Sequence, residues 1–310
     1  MSAFIPMLRG SFLYLSKQPT LRRWMETSRS ANRLTSRFIA GLTLDDAIRV
    51  AASLRDQNTL ATLDHLGENV TTLAEASGAR EAYLRALDRI AHLRLGATIS
   101  VKVTALGLDI SEQACFDNLA VLVDRAHAIG TSVEMDMESS QYTERTLRLV
   151  HAMQARHPGG VRAVVQAYLY RTAADVEALC REHIPVRLCK GAYQEPPEVA
   201  WQLKTEVDAS FLRLMERLFD RGTCPAVATH DAQILDHADV YIRRRGINAG
   251  QFEFQMLYGV RRDLQRALLK LGYSVRLYVP YGTAWYPYFM RRLAERPANV
   301  GFILRNMMRD

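Results

Sequence analysis

Two adjacent guanidinium groups stand near the carboxyl end of the chain, Arg291 and Arg292, with Tyr288 and Glu295 on either side. On a helix these four residues fall at i, i+3, i+4 and i+7 and share one face, while Phe289, Met290 and Leu293 form an apolar stripe for packing. Each guanidinium presents a planar fork of donors that matches a carboxylate bidentately, so the pair suits a small carboxylate ligand. Taken alone, the unit fits a solvated helix face with an Arg291–Glu295 ion pair somewhat better, because exposed pairs of that kind are common.

A second set of candidates lies inside segments that read as β-strands. Lys102, Asp136, Gln166, Arg187, Lys190, His230, Gln255 and Tyr278 all sit in or at the ends of such segments. Lys102 alternates with Ile99, Val101 and Val103, and Asp136 with Met135 and Met137, so their side chains leave the sheet on the face opposite the apolar one. If the sheet closes, that face is the lumen of a barrel. Buried charges are costly unless paired or used. A single lumen charge is as well explained by a structural pair such as Lys102 with Asp136. The whole set, gathered towards the carboxyl ends of strands, is better explained by a site.

The elements that would position these residues alternate along the chain. Strand-like runs cover Leu60–Leu66, Ile99–Thr104, Val133–Met137, Arg162–Leu169, Pro185–Lys190, Pro225–His230, Phe252–Leu257 and Val275–Val279. Helical stretches separate them, among them Leu119–Ala128, Glu144–Ala155, Val207–Phe219 and Arg262–Lys270. Pro280 and Gly282 end the last strand, and Pro287 suits the first turn of a following helix. Eight strands alternating with helices predict an α/β fold, a TIM-like (β/α)8 barrel, over residues 44–310. No linker, low-complexity run or second domain interrupts it.

Residues 1–43 read differently, as an N-terminal arm of helices. Arg9, Lys17, Arg22, Arg23, Arg29, Arg33 and Arg37 stand there against a single acid, Glu26, before residue 41, together with Phe4, Phe12, Tyr14 and Trp24. The arm is expected to pack on the barrel or to touch a membrane surface peripherally.

Composition sets outer limits. The chain has 310 residues, 48% hydrophobic and 24% charged, with a formal net charge of +7, an ordinary globular balance that favours anionic partners. Cys115, Cys180, Cys189 and Cys224 form no CxxC pair and have no histidine at zinc spacing, which points to a reducing compartment without a structural metal. No apolar run approaches the roughly 20 residues of a membrane span. Neither GxGxxG, a Walker loop, GxSxG nor HExxH occurs, so no Rossmann-type nucleotide site is signalled.

The segments VKVTALG with Lys102, VVQAYL with Gln166, VRLCKGAY from Arg187 to Tyr193, ATHD at 228–231, FEFQMLYG at 252–259 and YVPYG followed by YFMRRLAER occur in one order. In that combination the chain resembles the proline dehydrogenase family in its monofunctional bacterial form, from about Leu60 to Asn299. The resemblance implies a distorted β/α barrel that binds FAD without a Rossmann domain. It also implies oxidation of L-proline to 1-pyrroline-5-carboxylate by hydride transfer to flavin N5, with electrons passed to a membrane quinone. The location it implies is cytoplasmic, peripheral at the inner face of the cytoplasmic membrane.

Residue by residue, the resemblance assigns Arg291 and Arg292 to the substrate carboxylate, with Lys102 as a third positive contact. Tyr278 and Asp136 shape the proline ring site, supported by Tyr288 and Glu295. Arg187 lies at the flavin N5 edge, where a cation stabilises reduced flavin. Met137, Gln166, Lys190, Gly191, Ala192, Thr229 and His230 match FAD-contacting positions, and a glycine at 191 lets backbone approach a cofactor closely. Two positions depart from the pattern: Gln194 replaces an aromatic and Asp231 an asparagine. Two other readings fit the residues less well. Hydroxyproline oxidation would need room for a ring hydroxyl where Tyr278 stands. Nucleic-acid binding, suggested by the net charge and Arg243-Arg244-Arg245, lacks an aromatic-interleaved patch or a binding motif.

Overall fold

Among the described residues, regular structure begins where Thr43 caps a helix. Its hydroxyl accepts from Asp46 N at 3.2 Å while the Asp46 carboxylate accepts from Thr43 N at 3.0 Å, a reciprocal cap that starts α1, Leu44–Arg55. The computed structural model describes residues 38–286 and 288–290. The N-terminal arm up to residue 37, Pro287, and the stretch 291–310 with Arg291, Arg292 and Glu295 therefore lie outside the described residues.

After α1, strands and helices alternate as the pattern required: β1 Leu60–His65, α2 Leu73–His92, β2 Thr98–Val101, α3 Glu112–Ala128, β3 Val133–Met135 and α4 Ser140–Arg156. They continue through β4 Val161–Gln166, α5 Thr172–Arg181, β5 Pro185–Cys189, α6 Lys204–Arg221, β6 Thr223–Ala228, α7 Ala232–Arg245, β7 Glu253–Leu257, α8 Arg262–Lys270 and β8 Val275–Tyr281. Side-chain caps from Thr72, Ser111 and Asp231 start α2, α3 and α7. Gly246, at φ 65°, ends α7 in the left-handed conformation that suits glycine.

The strands form a closed, all-parallel barrel in sequence order, and β1 pairs with β8 to complete it. The expected (β/α)8 architecture is present. Several strands are shorter than the alternation suggested. β2 ends at Val101, β3 at Met135 and β4 at Gln166, so Lys102 and Asp136 stand just past their strand ends rather than within them. Backbone bonds still reach across just past two of these ends, from Asp136 N to Val101 O at 2.8 Å and from Ala167 N to Cys189 O at 2.8 Å.

Alternation in a sheet covered on both faces needs an explanation, since buried parallel strands ordinarily read as continuous apolar runs. Here the outward positions Leu63, Ile99, Val133, Ala163, Leu188, Phe254 and Leu277 join the main core with the helices. The inward positions Thr62, Asp64, Thr98, Glu134, Arg162, Arg187, Glu253, Gln255 and Arg276 are buried and polar. The lumen is a hydrogen-bonded charge network rather than stacked aliphatic layers, and the period of two in the sequence records it.

The barrel departs from regularity in two places. The β5–β6 register passes from Pro185↔Thr223 to Arg187↔Ala226, so β6 carries an extra residue. Cys224 in that bulge has φ 43°, and its carbonyl accepts from Arg162 Nη1 at 3.0 Å. The second departure concerns the helices. α1, which precedes β1, packs outside β1 and β8. The helical residues that follow β8, Trp285, Tyr286, Tyr288, Phe289 and Met290, gather with Ile39 and Leu66 into a separate cluster against Tyr278. That cluster lies at the carboxyl end of the barrel. Residues 38–41 join it through Ala40 N to Pro280 O at 2.9 Å and Gly282 N to Gly41 O at 3.0 Å.

The outward core layer is testable at Phe254, which is fully buried with Phe252 and Tyr273 edge-on at 5.6 and 5.4 Å. Phe254→Ala leaves a cavity among rings that cannot collapse, and is expected to cost about 3–5 kcal/mol. Urea denaturation of the two proteins measures it; a loss under 1 kcal/mol would place Phe254 outside the packed layer.

Candidate active site

At the mouth of the barrel four polar side chains converge from different strands. Asp136, one residue past β3, is anchored by its own backbone N–H donating to Val101 O at 2.8 Å. Its carboxylate accepts from Lys102 Nζ at 3.2 Å, Tyr278 Oη at 2.7 Å and Arg187 Nη1 at 3.0 Å. Asp64, at the inward position of β1, lies 3.8 Å from Lys102 Nζ. The Arg187 guanidinium stands over the Tyr278 ring, 5.4 Å from its centre. Lys102, Asp136 and Arg187 are 8%, 7% and 4% exposed, so water does little to screen these charges.

Below this set a second tier closes the lumen. Glu134 accepts from Arg187 Nη2, from Gln255 Nε2 at 3.2 Å, and from the hydroxyls of Thr62 and Thr98 at 2.8 and 2.7 Å. Arg276 grips Glu253 bidentately at 2.9 and 3.1 Å, and Arg162 reaches Glu253 at 3.4 Å.

The two tiers titrate according to their partners. Burial opposes ionisation of Asp136, but Lys102, Arg187 and the Tyr278 hydroxyl outweigh it and hold its carboxyl below the usual value. Burial works against Glu134 too, and Arg187, Arg162 and Arg276 overcome it. Lys102 loses hydration, yet Asp64 and Asp136 keep its ammonium charged far beyond the ordinary range. Asp64 goes the other way: burial raises its carboxyl, and Lys102 only partly offsets this. Tyr278 stays a phenol, pushed upward by burial and by Asp136.

The remaining described candidates stand at or just past the carboxyl ends of the strands. The Gln166 amide donates to Glu138 O at 2.9 Å and accepts from Ala192 N at 3.4 Å, joining β4 to the loop after β5. Met137 lines a small cavity together with Glu138 and Gln166. Gly191 has φ 128°, and a Cβ there would come within 2.4 Å of the Tyr168 ring. A side chain would push the loop off its seat. The same loop is tied down further along, where Glu195 accepts from Ser140 N at 2.7 Å at the start of α4.

Lys190 is held between Asp208 and Asp231, and Asp231 also caps α7 through Gln233 N at 3.2 Å. The carboxylate at 231, one of the two departures from the family pattern, thus has a structural use here. Thr229 accepts from Asp231 N at 3.2 Å, and His230 Nε2 accepts from Leu257 N at 2.8 Å, which leaves the ring hydrogen on Nδ1. Tyr288 is buried in the aromatic cluster beside Tyr278.

The chain around this site matches a known family. The family described as proline dehydrogenase matches residues 47–305. The chain belongs to the proline dehydrogenase family. Proline dehydrogenase 1 of Bacillus subtilis is 38% identical over 304 residues, covering 98% of this chain and all of that one. Proline dehydrogenase of Deinococcus radiodurans is 34% identical over 283 residues, covering 89% of this chain and 90% of that one. Among solved structures, proline utilization A (PutA) from Bdellovibrio bacteriovorus superposes with a TM-score of 0.79 at 25% identity. It covers 86% of this chain, which spans only 33% of that larger protein.

Within this family member, sequence reasoning missed Asp64, Glu134, Arg162, Glu253 and Arg276. The signal was present. Glu134 stands two residues before Asp136, Glu253 two before Gln255, and Arg276 two before Tyr278, so each shares the inward face of its strand with a residue already singled out.

The charge network gives a pH signature. A carboxyl whose folded-state value is depressed contributes stability above its ordinary value, and that contribution is lost as pH falls towards the folded-state value. Asp136 is such a group, depressed from 3.8. Asp136→Asn is therefore expected to be less stable than the parent at pH 7, with the gap narrowing only below about pH 3.8. Urea midpoints at pH 7, 4 and 3 report this. A gap that is constant down to pH 3 would mean that the cations around Asp136 do not hold it ionised.

Proposed function

We propose that this proline dehydrogenase family member oxidises L-proline to 1-pyrroline-5-carboxylate using bound FAD and passes the electrons to a membrane quinone. The observation that carries the reading is the buried set of Lys102, Asp136, Arg187 and Tyr278, brought together by four different strands in a chain of this family.

The residues present fit a flavin. Arg187 has both terminal nitrogens committed to carboxylates, while its Nε is buried without a hydrogen-bond partner among the described residues. An orphaned charged donor is costly unless a ligand engages it. The Gly191 loop, seated tightly on Tyr168, brings backbone to the same rim. FAD, when bound, supplies the acceptor for the substrate hydride. Arg187 would hold the flavin, with Met137, Gln166, Lys190, Gly191, Ala192, Thr229 and His230 as its further contacts.

The substrate carboxylate is assigned to Arg291 and Arg292, with Lys102 adding a fixed positive charge. Asp64, Asp136 and Glu134 offset the charges of Lys102 and Arg187, so the two further guanidiniums supply the charge that a carboxylate requires. Tyr278, locked by its hydrogen bond to Asp136, would form a rigid wall against the proline ring. Tyr288 and Glu295 would support that ring site. Fixing the carboxylate and the ring together sets the orientation of the carbon beside nitrogen, the positional contribution to rate.

Arg291→Lys and Arg292→Lys keep charge but lose the planar fork. Charged hydrogen bonds contribute about 1.5–3 kcal/mol, so each variant should lower kcat/KM for proline by about tenfold to a hundredfold with flavin content unchanged. Steady-state kinetics with an artificial electron acceptor measures this. A colourless parent that cannot be reconstituted with FAD, or full proline turnover in both variants, would overturn the reading.

The basic, aromatic arm of residues 1–43 is proposed as the peripheral membrane contact through which quinone is reached. Each basic residue near an anionic surface contributes about 1 kcal/mol. Full-length protein should float with anionic liposomes in a salt-sensitive way, and protein lacking the arm should not. Equal flotation would remove the arm from electron transfer.

A further inference from the structure

Glu134 occupies an unusual place for a charge, cut off from solvent beneath the mouth and bonded to only one of its four polar side chains, Arg187. It is 0% exposed, two residues below Asp136 on β3. Both of its oxygens are committed: Oε2 accepts from Arg187 Nη2 and from Gln255 Nε2 at 3.2 Å, and Oε1 from Thr62 and Thr98. The carboxylate therefore cannot swing, and it fixes one edge of the Arg187 guanidinium. Asp136 fixes the second edge at 3.0 Å. The third, Nε, is the one without a partner.

These two carboxylates do not act alike on Arg187. Asp136 is shared with Lys102 and Tyr278 at the mouth. Glu134 faces downward, and its other cations, Arg276 and Arg162, are no closer than 3.9 and 4.0 Å. Its charge is thus spent mainly on Arg187. In a buried setting a carboxylate bonded directly to a guanidinium cancels much of the field that the cation projects beyond it.

We propose that Glu134 is a positioning residue that aims Arg187 and sets the net positive charge it presents to bound flavin, and so tunes the reduction potential. The proposal rests on the reading of Arg187 as the flavin-facing cation. A weaker counter-charge leaves a stronger field, which favours the electron-rich reduced flavin and raises the potential. If Glu134 only neutralises buried arginines, its loss lowers stability and leaves the potential alone.

Glu134→Gln removes the charge and keeps the shape. Its amide oxygen can accept from Arg187 and Gln255, and its amide nitrogen can donate to the hydroxyls of Thr62 and Thr98. Glu134→Asp keeps the charge. The readout is the two-electron midpoint potential of the purified holoenzyme by spectroelectrochemistry, with flavin content and melting temperature alongside.

The glutamine variant should shift the reduction equilibrium about tenfold towards reduced flavin, a rise of about 30 mV, with the aspartate variant close to the parent. Should the glutamine variant not fold, Glu134→Gln with Arg162→Met removes one charge of each sign from the lower tier and should shift the potential in the same direction. Bound flavin with an unshifted potential in the variant that folds overturns the inference alone, as does an equal shift in the aspartate variant. A parent without flavin overturns the reading of Arg187, and this inference with it.

Discussion

The interaction on which the structure depends is the pairing of buried carboxylates with buried cations inside the barrel. Lys102, Arg162, Arg187 and Arg276 are matched there by Asp64, Glu134, Asp136 and Glu253. Removing an ion from water costs several kcal/mol, and only close, hydrogen-bonded counter-charges recover that cost. Each group is consequently held in place by its neighbours. A mouth built on such a floor is preorganised: Tyr278, Asp136 and Arg187 cannot rearrange one at a time without stranding a charge. The same network that opposes burial of a hydrophobic lumen makes the site rigid.

Local chain features deliver these groups to one end. β2 and β3 stop at Val101 and Met135, so Lys102 and Asp136 follow directly on the strand ends, where a barrel opens. The loop after β5 is seated by the absence of a side chain at Gly191 and by the Glu195 cap on α4. Helix placement serves the same end. With α1 packed against β1 and β8, the helical segment from Trp285 is not needed along the barrel side. It packs instead with Ile39 and Leu66 beside Tyr278. This arrangement accounts for the distortion the family resemblance implied.

Much of this was legible in the residues. Strand positions came from alternation, and the identity of the inward face from Lys102 and Asp136, which have no reason to alternate with valine and methionine unless their face is polar. The ordered segments from VKVTALG to YFMRRLAER carried the family. Asp64, Glu134 and Arg276 obey the same inward rule but escaped notice, because acids and arginines within short strands also occur at solvent-facing edges, and local sequence does not distinguish an edge from a lumen.

The sequence alone therefore determined which residues share a face, how many βα units exist and which family the chain joins. The tertiary structure decided which charge meets which. Tyr278 finds Asp136 across 142 residues, and Gln255 finds Glu134 across 121. Such pairings follow from barrel closure and from the register of all eight strands together, including the extra residue in β6. Alternation is a property of neighbours in the chain. Register is a sum over the whole barrel, and no single segment contains it.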